Sequence, residues 1–364
     1  MQGRSTDVSK PKESNRQSLA YLEIANGLRE EFQSGKYAPG ARLPTIHQLA
    51  KIWNSSYFTI HTALTTLVKQ GWVERIHGRG TFVADAGKRF ECVGIYHVIN
   101  IWAKQEALFA RQLNECLIER LHNLGKATQV FVDSRPTSLH GKLPPELVDA
   151  IRNRRIDCLI AANTDSVSHP ALSRLSLPIA LMSPVNKYNT VHFDDRDFMQ
   201  GGVRHLVRCG CRSVGLISNS PQMLQYLRRE ARAAGLTTRE EWNLHPSRYK
   251  TSLKEFGYHA FRRLHRLSER PDGLIVHPDM SVEGTIVAIL QCGVRVPDQM
   301  KLVLHSNSRV RLICPFPVTW GISDEDAAAA ALIQTVEKQF AGERPRQVSI
   351  PFTFKNDSGK AWLA

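Results

Sequence analysis

The chain has 364 residues, with 48 Lys and Arg against 34 Asp and Glu, so its formal net charge is +14. The length allows two or three domains with cores, and the charge suits an anionic partner, although the basic residues are spread along the chain as in many basic enzymes. No stretch approaches the length of a transmembrane helix, and residues 1–17 lack the apolar core of a signal peptide, so we expect a cytosolic protein.

The first predicted elements are three helices. A helix with apolar residues at helical spacing ends at Gly35, and Thr45 is placed to cap a short second helix that ends near Trp53. After a turn at residues 54–56, the third helix ends at Gly71. It carries one apolar stripe, formed by Ile60, Ala63, Leu64, Leu67 and Val68. Two short helices joined by a tight turn are typical of a helix-turn-helix.

A hairpin follows the third helix. Strands at residues 72–76 and 81–84 enclose His77-Gly78-Arg79-Gly80, which makes the domain a winged helix-turn-helix. The two glycines let the backbone around Arg79 approach a phosphate or the minor groove closely. The alternative is a solvated hairpin tip, but we predict Arg79 as the firmest single DNA contact.

Residues 18–86 resemble the DNA-binding domain of the GntR family, which combines Leu-Pro and Leu-Ala in the second helix with Gly-Arg-Gly-Thr-Phe-Val in the wing. The chain has Leu43-Pro44, Leu49-Ala50 and residues 78–83 at these places. The resemblance implies a DNA-binding domain that lays its third helix in the major groove. The implied DNA contacts are Thr45, His47, Ser56, Tyr57, Thr59, His61, Gly78, Arg79, Gly80 and Thr81.

Three arginines that contact DNA in this family fall on His47, Tyr57 and His61. Arginine reads guanine through two donors, whereas His and Tyr offer one donor or acceptor at a time, so we expect an operator that differs from the usual family site. A lone Tyr or His is more often an ordinary surface residue, and we expect Tyr57 and His61 to be exposed. Phe58 is expected to pack in the core or at its boundary, because it neighbours the apolar stripe.

A polar linker at residues 87–91 separates this domain from a second one, in which strands alternate with amphipathic helices. The predicted strands are 93–98, 127–132, 158–162, 179–182, 190–193, 213–218, one near Leu244, 273–276, 301–304 and 347–354. The predicted helices are 105–124, 144–153, 168–175, 198–208, 221–234, 252–266 and 281–292. The alternation predicts an α/β fold with two parallel, helix-covered sheets.

Several phrases of this second domain resemble the effector domain of the LacI/GalR family, itself similar to periplasmic sugar-binding proteins. They are Asp194-Asp195, Gly201-Gly202, His205-Leu206, Arg270-Pro271-Asp272, Asp279, Gly284 and the run from Gly293 to Pro297. The match covers residues 92–355 and leaves tails at residues 1–17 and 356–364. A GntR head on this domain is the architecture of the arabinose-repressor group of bacterial regulators.

The resemblance implies a two-lobed, periplasmic-binding-protein-like domain and a repressor controlled by a small molecule, commonly a sugar, bound between the lobes. It also implies a homodimer that binds a double-stranded, pseudo-palindromic operator and is nucleoid-associated through that binding.

The ligand positions implied by the resemblance depart from the family. Ser306, followed by Asn307, replaces an aspartate that grips sugar hydroxyls. Trp102 offers an aromatic face in the first loop, and Asp279 either contacts ligand or caps a helix, whereas Asp194 is expected to be a hinge or turn residue. Either the inducer is not a typical sugar, or the domain chiefly dimerises.

The sequence lacks the motifs that are typical of catalytic sites and metal sites. The seven cysteines form no disulfide framework, and Cys209 and Cys211 lack a second cluster at metal-ligand spacing. The chain has no Gly-x-Ser-x-Gly elbow, no phosphate loop and no His-Glu-x-x-His pair, so we expect no enzyme, no cofactor and no metal. A GntR head fused to an aminotransferase-like domain requires a longer C-terminal region. A structural DNA-binding protein without an effector is the remaining alternative.

Overall fold

The computed structural model describes residues 12–69, 71–84, 90–102, 107–183, 189–246, 252–310 and 312–357. The start of the predicted N-terminal tail, most of the predicted linker and residues 358–364 lie outside the described residues. Helix α1 begins at Lys12, so the predicted tail at residues 1–17 overlaps a helix. The chain divides into two compact units, Met1–Gly94 with Leu143–Cys158, and Ile95–Lys142 with Leu159–Ala364. Within the described ranges, no helix is both long and apolar enough to cross a membrane.

The first unit contains the predicted winged helix-turn-helix. Its elements are α1 (Lys12–Gln33), α2 (Ile46–Ile52), α3 (Tyr57–Lys69) and the antiparallel hairpin of β1 (Val73–Ile76) and β2 (Gly80–Val83). Thr45 caps α2 as predicted, because its hydroxyl accepts the Gln48 N–H at 3.3 Å while the Gln48 side chain accepts the Thr45 N–H at 2.8 Å. Leu28, Leu49 and Leu67 are fully buried between the helices and hold them together.

An arginine from the segment Leu143–Cys158 packs on this core. The guanidinium carbon of Arg154 lies 3.4 Å from the centroid of the Trp72 ring, and its Nη1 donates to the Gly71 carbonyl at 3.2 Å. Its backbone has φ +48, a left-handed conformation that few side-chain-bearing residues adopt. A cation over a tryptophan ring contributes about 0.5–2 kcal/mol, so Arg154 helps to fix the junction between α3 and β1. No sequence pattern predicts this contact.

The remaining strands form two six-stranded sheets, in the orders β13-β7-β6-β5-β3-β4 and β14-β12-β11-β10-β8-β9. The strands are β3 (Cys92–His97), β4 (Ala127–Val132), β5 (Cys158–Asn163), β6 (Ile179–Met182), β7 (Thr190–Phe193), β8 (Val214–Ser218), β9 (Asn243–Leu244), β10 (Gly273–His277), β11 (Lys301–Asn307), β12 (Val318–Ser323), β13 (Val348–Ile350) and β14 (Thr353–Asp357). The helices are α4 (Leu108–Asn123), α5 (Pro145–Arg152), α6 (His169–Leu172), α7 (Asp195–Arg208), α8 (Pro221–Ala233), α9 (Leu253–His265), α10 (Asp279–Gln291) and α11 (Glu325–Phe340).

Residues 347–354, predicted as one strand, form parts of two strands in different sheets. β13 pairs in parallel with β7, and β14 pairs antiparallel with β12. The break falls at Pro351, which has no N–H to continue a ladder, and at Phe352, which is buried in the core of the second sheet. β12 and α11 lie in a stretch for which the sequence predicts no element.

The chain passes between the two sheets three times, after β7, after β12 and between β13 and β14. Two crossings are tied together, because the Asp194 N–H donates to the Ile350 carbonyl at 2.8 Å. The Asp194 carboxylate caps α7 by accepting two backbone N–H groups, and Asp324 caps α11 in the same way. Asp194 is thus the N-cap of α7, and the hinge or turn role expected for it stays a prediction.

Candidate DNA interface and effector site

The three positions at which the resemblance implies arginines lie on two helices, His47 on α2 and Tyr57 and His61 on α3. His47 and Tyr57 have ring centroids 5.1 Å apart, and the Tyr57 and His61 rings are nearly parallel with centroids 6.3 Å apart. His47 is exposed, Tyr57 is 50% exposed and His61 is half-buried. Residues from α2 and α3 thus form one continuous aromatic row at the surface.

Three of the other predicted DNA contacts form hydrogen bonds at the N-terminal ends of α2 and α3. The Ser56 Oγ accepts the Thr59 N–H at 3.1 Å and lies 2.7 Å from the Thr59 hydroxyl. Thr59 itself is buried, and the Thr45 hydroxyl is occupied by the cap of α2. These side chains set where α2 and α3 begin, which fixes the direction of the aromatic row.

Phe58 is 73% exposed, so the expectation that it packs in the core or at its boundary is wrong. At about 100° per residue, Phe58 and the fully buried Leu67, nine residues later, point to opposite sides of α3. Ile60, Ala63 and Leu64 complete the buried stripe without it. Adjacency in sequence to an apolar stripe is therefore not evidence of burial on a helix.

The wing turns through two glycines with positive φ, +71 at Gly78 and +122 at Gly80. Between them Arg79 is exposed, and its N–H closes the turn on the Ile76 carbonyl at 3.0 Å. A Cβ on Gly80 would lie 2.9 Å from the Arg42 Nε, so the glycine leaves room for a second guanidinium against the wing. Thr81, the remaining predicted contact, is half-buried in β2.

Two of the four predicted ligand residues meet in the second unit. The Asn307 amide donates to the Asp279 carboxylate at 2.7 Å, and its carbonyl oxygen accepts the Ser323 hydroxyl at 2.6 Å. The His305 Nδ1 accepts the Asp279 N–H at 2.9 Å, which leaves its Nε2 proton for Ser323 Oγ at 3.1 Å. Because the hydrogen bonds begin and end at Asp279, each of the four side chains is held by the others.

Two stacked histidines lie beside this network. The His277 and His305 rings have centroids 4.7 Å apart, and Asp195 Oδ1 lies 3.7 Å from His277 Nε2. Burial lowers the pKa of His277 to about 4, and burial together with His277 lowers the pKa of His305 well below its usual value. Burial raises the pKa of Asp195 to about 6 and also raises the pKa of Asp279. Both rings are therefore neutral at pH 7.

The sequence interpretation missed this pair, although both histidines come at or near the carboxyl ends of predicted strands, where parallel sheets place their binding groups. In the described ranges, no group of three or more His, Cys, Asp or Glu side chains is arranged to hold a metal ion.

The other two predicted ligand residues lie apart from Asp279. Ser306 alternates with His305 and Asn307 along β11, and its hydroxyl makes only long contacts, of 3.3 Å to the Val310 carbonyl and 3.4 Å to the Asn307 carbonyl. Trp102 follows β3 in the other sheet, is 58% exposed, and its N–H donates to Asn100 at 3.1 Å. Among these four residues, the side-chain-to-side-chain hydrogen bond is the one between Asn307 and Asp279.

Two family models match the chain. Residues 20–83 match bacterial regulatory proteins of the gntR family, and residues 203–354 match a periplasmic binding protein-like domain. The arabinose metabolism transcriptional repressor of Halalkalibacterium halodurans is 24% identical over 313 residues, which are 79% of this chain and 80% of that protein.

Solved structures share the fold of the second domain. A LacI family transcription regulator from Clostridium acetobutylicum has a TM-score of 0.59 at 18% identity, over 73% of this chain and 98% of that one. The lac repressor dimer bound to operator and the anti-inducer ONPF has a TM-score of 0.57 at 18% identity, over 75% of this chain and 95% of that one. The fold is therefore mixed α/β, with an N-terminal helix-turn-helix and two parallel-sheet lobes.

Proposed function

We propose that this chain, which joins a gntR-family DNA-binding domain to a periplasmic-binding-protein-like domain, is a sequence-specific transcriptional repressor controlled by a small molecule. The observation that carries the proposal is a winged helix-turn-helix whose α3 exposes Tyr57 and Phe58 in its first turn. Helix-turn-helix proteins insert this part of the second motif helix in the major groove.

The proposed contacts divide by role. His47, Tyr57 and His61 face the base edges, and Arg79 contacts a phosphate or the minor groove. The caps Thr45 and Ser56, with Thr59 bonded to Ser56, hold the helix starts against the backbone of the duplex. Gly78, Gly80 and Thr81 shape the wing.

The effector is proposed to be a sugar or a related metabolite, bound between the lobes by Trp102, Asp279, Ser306 and Asn307. Because Asn307 already occupies the Asp279 carboxylate, a ligand hydroxyl has to compete with its amide. The ligand can shift the lobes only by binding one arrangement more tightly. A domain that merely dimerises is not favoured, because the relative matched across both domains carries the name of a transcriptional repressor.

The working assembly is proposed to be a homodimer on a double-stranded operator, in the cytoplasm and without enzymatic activity. The lac repressor has been solved as a dimer on its operator. In this chain Val287 and Leu290, 48% and 54% exposed, lie three residues apart on α10 and offer an apolar pair for such a contact. The proposed domain bounds are residues 18–86 and 92–355.

The test uses the full-length protein. Bound duplexes are selected from random DNA, and thermal unfolding is then measured with a panel of sugars and related metabolites. A specific effector at about 100 times its Kd adds about 2.7 kcal/mol to the free energy of unfolding, and it must also change the affinity for the selected duplex. Selection without any enriched sequence contradicts specific DNA binding. An enriched duplex with no stabilising metabolite contradicts effector control alone.

A further inference from the structure

The outward face of α3 is apolar where it leaves the core. Phe58 and Tyr57 are exposed next to each other in its first turn, and Phe58 points directly away from the buried stripe that ends at Leu67. Single exposed apolar residues need no explanation, but an exposed phenylalanine in the first turn of a groove-reading helix faces the bases.

The neighbouring threonines on this face have no free hydroxyl proton to offer a base. The Thr62 hydroxyl donates to the Phe58 carbonyl at 2.9 Å, and the Thr65 hydroxyl donates to the His61 carbonyl at 2.7 Å. Both hydroxyl protons are thus used inside the helix.

Helix α3 also lacks the side chains that read purines through paired hydrogen bonds. It contains no arginine, asparagine or glutamine, and its one lysine, Lys69, is its last residue. Arginine and lysine recognise guanine, and asparagine and glutamine recognise adenine, so neither purine has its usual partner here. The exposed cations Arg42, Lys51 and Arg79 lie outside α3 and are suited to phosphates, whereas Arg75 donates to the Thr65 hydroxyl of α3 at 3.1 Å.

We infer that Phe58, flanked by Tyr57 and Thr62, recognises thymine through its C5-methyl group in the major groove. This inference rests on the proposed DNA-binding function and names what the first turn of α3 reads. The thymine methyl is the one apolar group that a base pair presents in the major groove, and aromatic and threonine side chains pack against it. Each half-site therefore places thymines under the start of α3.

The experiment removes the methyl and leaves the base pairing intact. Duplexes selected by the full-length protein are resynthesised with uracil in place of single thymines. Burying one methyl group predicts that binding weakens about fourfold at each contacted position. At the same position, cytosine weakens binding, and 5-methylcytosine restores part of the loss because its methyl occupies the same place in the groove.

The Phe58→Ala variant tests whether Phe58 is the residue that contacts the thymine methyl group. It binds the thymine and uracil duplexes equally, whereas the matched control Ile52→Ala, an exposed apolar residue on α2, keeps the difference. Because Phe58 is exposed, the variant retains the fold, which its far-UV circular dichroism verifies. If an operator is enriched but the wild type binds its thymine and uracil duplexes equally, the inference is overturned and the proposed function is not. The same holds if the Phe58→Ala variant still prefers thymine. Failure to enrich any sequence overturns the proposed function and this inference together.

Discussion

The two candidate binding regions use their side chains in opposite ways. At the start of α3, Tyr57 and Phe58 are exposed, whereas in the second domain His305 and Asn307 are buried and hydrogen-bonded to the partly buried Asp279. Exposed side chains at the start of this helix suit docking in a DNA groove. A site that responds to a ligand must bind it more tightly in one arrangement than in another. Substitutions should therefore change DNA affinity in the first region and stability in the second.

The largest expected effect is the pH dependence of the histidine pair. Below about pH 6.5 the unfolded chain takes up a proton at His277, whereas the folded chain, with its pKa lowered to about 4, does not. Because only the unfolded chain binds this proton, the free energy of unfolding should fall by up to about 3 kcal/mol as the pH falls from about 6.5 to 4. The His277→Phe variant, which keeps a ring against His305, should lose less stability than the wild type in this window, as measured by urea unfolding.

Asp195 provides a control for this prediction, because its effect on stability should change with pH in the opposite direction. Its pKa is raised to about 6, so its charged form is disfavoured by folding at pH 7, and protonation stabilises the fold as the pH falls. Asp195→Asn should be more stable than the wild type at pH 7, and the gain should disappear by about pH 4. Parallel pH profiles for the wild type and both variants contradict the proposed burial of these groups.

The next largest effect should come from breaking the hydrogen-bond network around Asp279. Asn307→Ala leaves the partly buried Asp279 carboxylate and the buried Ser323 hydroxyl without their amide partner, and the free energy of unfolding should fall by about 1–3 kcal/mol. The neighbouring Ser306→Ala removes only long contacts and should cost less than about 1 kcal/mol in the same urea titration. Equal losses in the two variants would mean that the network has no special role.

The smallest change in stability belongs to the DNA-facing region. Tyr57→Ala should alter the free energy of unfolding by less than about 0.5 kcal/mol and relax the preference at particular base pairs of the selected operator. Arg79→Ala is the matched comparison, since loss of a phosphate contact weakens binding to all sequences and lowers the salt slope by about 1. Both are measured by fluorescence anisotropy at several salt concentrations. Unchanged DNA affinity in both variants contradicts the docking geometry.

Much of the fold follows from local pattern. β4, β6 and β7 have the bounds that the sequence predicts, because each is a short run of strand-forming residues between turn residues. The cap of α2 at Thr45 follows from the chemistry of one side chain and its neighbours. The family resemblances supply the order of the domains, and the matched models at residues 20–83 and 203–354 agree with that order.

The candidate sites were harder to predict, because their partners are distant in sequence. The Asp279–Asn307 hydrogen bond joins residues 28 positions apart, and the Trp72–Arg154 contact joins two predicted domains. Phe58 misled the interpretation, since neighbouring residues on a helix point about 100° apart. The predicted strand at 347–354 failed in a similar way, because an apolar run does not reveal which sheet each half joins.

By itself the sequence determined the winged helix-turn-helix, the alternation that builds two parallel sheets, and the replacement of the family arginines by His47, Tyr57 and His61. These are matters of periodicity and residue identity. Only the tertiary structure decided that the three rings form one row, that Phe58 faces outward and that Asp279 is held by Asn307. The physical reason is that exposure and hydrogen bonding depend on which groups the folded chain brings together.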